Sequence, residues 1–335
     1  MMRAIDKRNI LILLFLLLLL AIVSILSIIL GSENISLNRF FQILTGKGTG
    51  IEKNILYGIR IPRLMLALSI GASLSIAGVL LQAVFRNPLV EPYTTGISGG
   101  ASFAVSLALV SGLTKIFGIS ALYLSAFTGA IFVISILYLL YQLKKIKNIN
   151  TLLLTGIMMS FIFSSLIMLV MALSKVENTH SIIFWLMGSL EQSRIQTSLF
   201  TIIISIFLFL IVIYYFHELD ALLLGEEAAT QLGINVRNSQ IKFFLVASIL
   251  TACSVTISGI IGFVGLAIPI IMRKIIGTKH NYLLIASYLG GALFLSACDL
   301  ISRTIIAPRE LPVGVITGIT GGIIFLWTLF KRDKS

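Results

Sequence analysis

The chain reads as an all-α integral membrane protein, and three observations carry that reading. Over 335 residues it is 58% hydrophobic and 11% charged, where a soluble domain is about a quarter charged. Its mean hydropathy is +1.06. Its apolar runs recur at about 20 residues, the length a helix needs to cross ~30 Å of hydrocarbon. A formal net charge of +12 would point to nucleic acid in a soluble protein. In lipid it points to anchoring on the cytoplasmic side, so nucleic acid is not an expected partner.

The spans follow in order. Arg3, Lys7 and Arg8 precede Ile10–Leu30, which is longer than the ~7–15-residue apolar region of a signal peptide and is read as a retained first span. The next are Ile61–Phe85, a Gly/Ser-rich Tyr93–Val110, Ser120–Leu143, Thr151–Leu173, Ile195–Phe216 and Ile241–Ile261. Two shorter spans fit between Gly262 and Leu300, broken near Gly277–Asn281, where a re-entrant segment also fits. Val313–Phe330 is the last of ten. An even number puts both termini on one side. The excess of Lys and Arg there, at Arg3/Lys7/Arg8, Lys144/Lys145/Lys147, Arg273/Lys274/Lys279 and Lys331/Arg332/Lys334, makes that side cytoplasmic.

Three arginines break the bias. Arg60 and Arg63 flank Pro62 at the outer end of the second span, and Arg303 sits at the outer end of the ninth. They either snorkel to headgroups, with Arg303 paired to Asp299 four residues earlier, or converge as a rim for acidic groups. Cys253 and Cys298 lie in apolar runs and read as packing residues, not as metal ligands. No catalytic constellation is present and no metal site is expected. Few charges lie deep in the spans, which argues against an ion-gradient-driven carrier. An echo between Ser73–Leu80 and Ser254–Ile261, with Pro88 and Pro269 at the same offset, leaves such a carrier with an inverted repeat as the alternative.

The most polar interruption is His217–Lys242. Within it Gly225-Glu226-Glu227-Ala228-Ala229-Thr230-Gln231-Leu232-Gly233 reads as a short helix: acids in the first turn favour its positive end, and Gly233 can close it in the left-handed conformation. Outside the lipid, such a helix is a handle for a soluble partner or a plain connecting loop.

Several separated motifs then point to one family. They are Arg60-Ile61-Pro62-Arg63; Leu81-Gln82 with Phe85-Arg86-Asn87-Pro88-Leu89; Gly96-Ile97-Ser98; Trp185-Leu186-Met187-Gly188-Ser189; and Leu224-Gly225-Glu226-Glu227-Ala228. Gly262-Phe263-Val264-Gly265-Leu266 with Pro269, and Glu310-Leu311-Pro312-Val313-Gly314-Val315, complete the set. From about Ile59 to Trp327 the chain resembles the FecCD-type permease subunits of binding-protein-dependent ABC importers for iron-siderophores, haem and vitamin B12. The resemblance implies a single permease domain over 1–335 with the type II importer architecture, ten helices per subunit, in a homodimer. It implies a cytoplasmic coupling loop at about 217–240, where Gly225, Glu226, Glu227, Ala228, Ala229 and Gly233 meet a separate ATPase subunit. It also implies an extracytoplasmic solute-binding protein docking on Arg60, Arg63 and Arg303, and a cytoplasmic gate at Asn87 and Leu89. Pro88, Gly262, Phe263, Gly265 and Pro269 are structural members of the motifs. The chain binds no cofactor in this reading, since it has no G-x-x-x-x-G-K-[S/T] phosphate loop, and ATP is used by the partner. The location implied is a bacterial or archaeal plasma (inner) membrane, with an iron-siderophore as cargo and haem or cobalamin as alternatives. Where the family often has His after Pro269 this chain has Ile270, so no role passes to that position.

Overall fold

The computed structural model describes residues 2–31, 40, 42, 49–142 and 149–330. Lys144, Lys145, Lys147, Lys331, Arg332 and Lys334, on which the expected orientation leans, lie outside the described residues. α1 spans Met2–Ile29, α2 Gly50–Val84, α3 Ile97–Val110, α4 Leu113–Phe117, α5 Ile119–Gln142, α6 Ile149–Leu173 and α7 Val176–Leu186. α8 follows at Ile195–Tyr214, α9 at Phe216–Leu223, α10 at Glu226–Gln231 and α11 at Val236–Ser258. α12 is Val264–Ile276, α13 His280–Thr304 and α14 Val313–Phe330. Among the described residues, 7 helices are long and apolar enough to cross a membrane, while α3 and Val313–Thr328 are shorter apolar helices.

Three expectations change. The second span does not begin at Ile61. Thr49 and Glu52 form a capping box that starts α2 at Gly50. The chain then passes Pro62 because Asn54–Arg60 is a π-helix, whose wider turn absorbs a residue that cannot donate. The two shorter spans after Gly262 are unequal: α12 has 13 residues and α13 has 25. The break between them, Gly277–Lys279, stands near where it was expected. The internal echo does not hold in the backbone. Ser73–Leu80 lies inside α2, whereas Ser254–Ile261 runs off the end of α11 at Ser258. Pro88 sits in a turn, whereas Pro269 sits inside α12.

The Ile61–Val84 part of α2 is the axis of the bundle. α8, α11, α12 and α13 pack around it, and almost every residue of that part is buried. Small residues make this possible. A methyl carbon on Gly78 would stand 1.8 Å from the Gly265 carbonyl oxygen, and one on Gly71 would stand 2.3 Å from that of Gly291. The backbones of α12 and α13 therefore touch α2 directly, the packing that lipid-embedded helices use when no water is left to expel. α1 and α6 instead expose long apolar side chains such as Leu11, Leu14, Phe161 and Met168, surfaces suited to lipid or to another apolar chain.

Candidate functional site

At one end of the bundle the three arginines do converge, around a cavity of about 310 Å3 that Glu310 also lines. They are neither snorkelling nor an open rim, being only 4%, 4% and 5% exposed. Arg63 Nε donates to Asp299 Oδ1 at 2.8 Å, and its Nη1 to Glu310 Oε2 at 2.5 Å. Arg303 Nε lies 3.2 Å from Asp299 Oδ2, close enough for an ion pair although its N–H is not aimed at that oxygen. Its Nη2 donates to the Ser27 hydroxyl at 2.7 Å and to the Ser27 carbonyl. Arg60 Nη1 donates to the carbonyls of Ile28 and Ile29, at 2.6 and 2.9 Å. Cations on the last carbonyls of α1 suit the negative end of that helix. One buried carboxylate, Asp299, thus holds two guanidinium groups, and Glu310 is the partner nearest solvent.

At the opposite end, α2 finishes in a Schellman motif: Asn87 N–H donates to the Gln82 carbonyl at 3.1 Å and Arg86 N–H to that of Ala83 at 3.2 Å. The left-handed residue is Arg86, at φ 48, a conformation that costs a non-glycine residue about 1–2 kcal/mol. Asn87 Oδ1 accepts from the Leu89 N–H at 3.0 Å, fixing the Asn87-Pro88-Leu89 turn. Leu89 itself is 57% exposed.

Gln82 ties this turn to α12. Pro269 has no N–H, so the carbonyl of Gly265 four residues earlier loses its helical donor. Gln82 Nε2 reaches that carbonyl and the one of Val90, at 3.4 Å each, while Gln82 Oε1 accepts from Arg273 Nη2 at 3.1 Å. Gly262 leads into Phe263, which takes φ 67 and starts α12. Its ring side packs where Gly321 leaves room.

The expected helix is present as α10. Gly225 enters it at φ 109, and Gly233 leaves it at φ 80. Ile234 N–H bonds the Ala229 carbonyl and Gly233 N–H that of Thr230, a second Schellman motif. Glu227, Thr230, Gln231, Leu232 and Gly233 are exposed and Ala228 is half-buried. Ala229 is the correction: it is fully buried, so it anchors α10 and offers no outward contact. Glu226 does more than start the helix. Its Oε1 accepts from Arg86 Nη2 at 3.4 Å and from Gln240 Nε2 at 3.3 Å, and Gln240 Oε1 accepts from the Tyr141 hydroxyl at 3.2 Å. The Asn87 turn and α10 are therefore joined through Arg86, a member of the Phe85–Leu89 motif to which the sequence assigned no role.

Comparison with known proteins gives the family. The FecCD transport family model matches residues 18–331. The "Hemin transport system permease protein HmuU" of Yersinia pestis is 33% identical, over 91% of this chain and 92% of that one. The "Probable siderophore transport system permease protein YfhA" of Bacillus subtilis is 34% identical, over 99% and 98%. A solved inward-facing conformation of a metal-chelate type ABC transporter superposes with a TM-score of 0.84 at 32% identity, covering 96% of this chain and 99% of that one. The chain belongs to the FecCD transport family and is a multi-pass ABC importer permease.

Proposed function

We propose that the chain is one half of a homodimeric type II importer with ten spans per subunit, set in a bacterial or archaeal plasma membrane with both termini cytoplasmic. It carries no cofactor and no ATP site, and a separate ATPase dimer supplies the energy by docking on the Gly225–Gly233 segment. An extracytoplasmic binding protein delivers a bulky metal chelate, in the first place an iron-siderophore. The observation that carries this reading is the Arg86–Glu226 contact, because it joins the exposed α10 to the Asn87–Leu89 turn proposed as the gate. A partner that moves α10 thereby acts on the gate, provided its contacts differ between the two states.

The test is reconstitution in liposomes with the ATPase and the cognate binding protein, loaded in turn with ferric siderophore, haem or cobalamin. ATP-dependent uptake of one of them is expected. Uptake on an ion gradient with no ATPase present would overturn the reading, and uptake of haem or cobalamin alone would overturn the cargo. Docking at the arginine end requires an exchange, since Arg63 already holds Glu310. An incoming carboxylate takes the place of Glu310, so Glu310→Ala is expected to tighten binding-protein docking severalfold at low salt. Unchanged affinity would remove Arg60, Arg63 and Arg303 from the docking surface.

A further inference from the structure

Beside α10, the ends of α2, α9 and α12 enclose an open cavity of about 470 Å3. Three cations line it, Arg86, Arg273 and Lys274, with Leu223 and Ile270 among the apolar wall. Of the carboxylates of α9 and α10, Glu227 is exposed beside Thr230 and Gln231 and does not line this cavity, and the other three are engaged elsewhere. Glu226 bonds Arg86 and Gln240, Glu218 bonds Ser239 and Lys242, and Asp220 bonds His280. Lys274 Nζ donates to the Thr328 carbonyl.

Arg273 is the outlier. It is half-buried, and its one hydrogen bond among the described residues goes to the neutral Gln82 Oε1. No carboxylate pairs with it there, whereas Arg63 and Arg303 share Asp299. A guanidinium has five N–H donors and cannot shed its charge. Withdrawn from water without an acid, it attracts one strongly.

We propose that this cavity accepts an acidic side chain, Asp or Glu, of the ATPase subunit, as a second contact beside α10. The inference rests on the reading that Gly225–Gly233 docks that subunit. Continuity selects the occupant: Leu223 in the cavity wall is two residues from Gly225, and Arg86 lines the cavity while bonding Glu226. A protein seated on α10 also covers the cavity mouth. The incoming carboxylate pairs with Arg273 from the open side, opposite the Gln82 contact, in the forked geometry that guanidinium favours.

The test is the affinity of the purified permease for its ATPase in phosphatidylcholine nanodiscs across a salt series. Arg273→Gln is expected to weaken it by at least about tenfold and to flatten its salt dependence, with Arg273→Lys recovering part. Ile270→Glu, which places an acid in the cavity from within, should weaken it comparably without removing the Gln82 bond. Melting curves select the folded variants. Wild-type affinity for both Arg273→Gln and Ile270→Glu would overturn the inference. So would loss of co-purifying phosphatidylglycerol at unchanged ATPase affinity, which would make the cavity a lipid site. Leu232→Asp, on the exposed side of α10, separates the two readings. If that variant keeps the ATPase, the docking reading itself fails. If it sheds the ATPase while the cavity variants keep it, only the second contact fails.

Discussion

At the scale of single residues, Arg86 and Asp299 carry the most consequence. Arg86 occupies a left-handed position that glycine would fill at less cost, and its side chain is what reaches Glu226. Arg86→Gly is therefore expected to leave thermal stability unchanged or up to ~1 kcal/mol higher, while ATP hydrolysis loses its link to uptake. Parallel measurement of melting, ATPase rate and uptake checks this, and normal uptake per ATP would clear Arg86 of any part in coupling. The charge swap Arg86→Glu with Glu226→Arg should restore some of what Arg86→Glu alone removes. Asp299 is the opposite case, fully buried and holding two cations. Asp299→Asn leaves Arg303 without its counter-charge and Arg63 with Glu310 alone, and a loss on the order of 3–5 kcal/mol is expected in detergent unfolding. The pairing of Arg303 with Asp299 was readable from their four-residue spacing. The contacts of Arg63 with Asp299 and Glu310 were not, because they join residues 236 and 247 positions apart.

At the scale of elements, glycine positions that look alike in sequence separate sharply. Gly78→Ala drives a methyl into the Gly265 carbonyl, so α2 and α12 must part. Poor expression or aggregation is expected. Gly233→Ala meets no atom within 4 Å and bears only the left-handed penalty, about 1–2 kcal/mol, so the variant should fold with a less firmly closed α10. Circular dichroism and size exclusion distinguish the two outcomes. The start of α13 depends on Asp220, which accepts from both the backbone N–H and the ring Nδ1 of His280. Burial alone would raise the Asp220 carboxyl, but the His280 hydrogen bonds and charge outweigh it and hold the carboxyl below its ordinary value. A depressed carboxylate contributes stability that is present above its unfolded value, near 4, and is lost as pH falls through the folded value. Asp220→Asn should therefore flatten the acid limb of the stability profile and leave neutral pH little changed in slope. Helix ends were partly legible here. Gly233 announced a C-terminus, while the apolar run from Ile61 hid a helix that begins earlier and passes Pro62 through the π-helical Asn54–Arg60.

At the scale of the whole molecule, α2 is the shared axis. Its lower turn touches the α10 junction through Arg86, and its upper part carries Arg60 and Arg63 against α1 and α13. One element thus contacts both regions that the proposed cycle must connect. If it transmits motion, a cross-link holding α2 to α12 near Gly78 should abolish uptake while binding protein and ATPase still dock. Continued uptake would place the moving parts elsewhere. The apolar runs, the helical class, the short polar helix at Gly225–Gly233 and the family were determined by the sequence alone, because lipid imposes length and hydrophobicity on every span and several motifs keep their order. Tertiary structure alone decided that the arginines are buried, that Arg63 bonds Asp299 and Glu310, that Ala229 faces inward, and what Gln82, Arg86 and Arg273 touch. Each of these depends on which helix faces which. In a chain whose spans are apolar on nearly every side, periodicity does not say which face turns toward a neighbour.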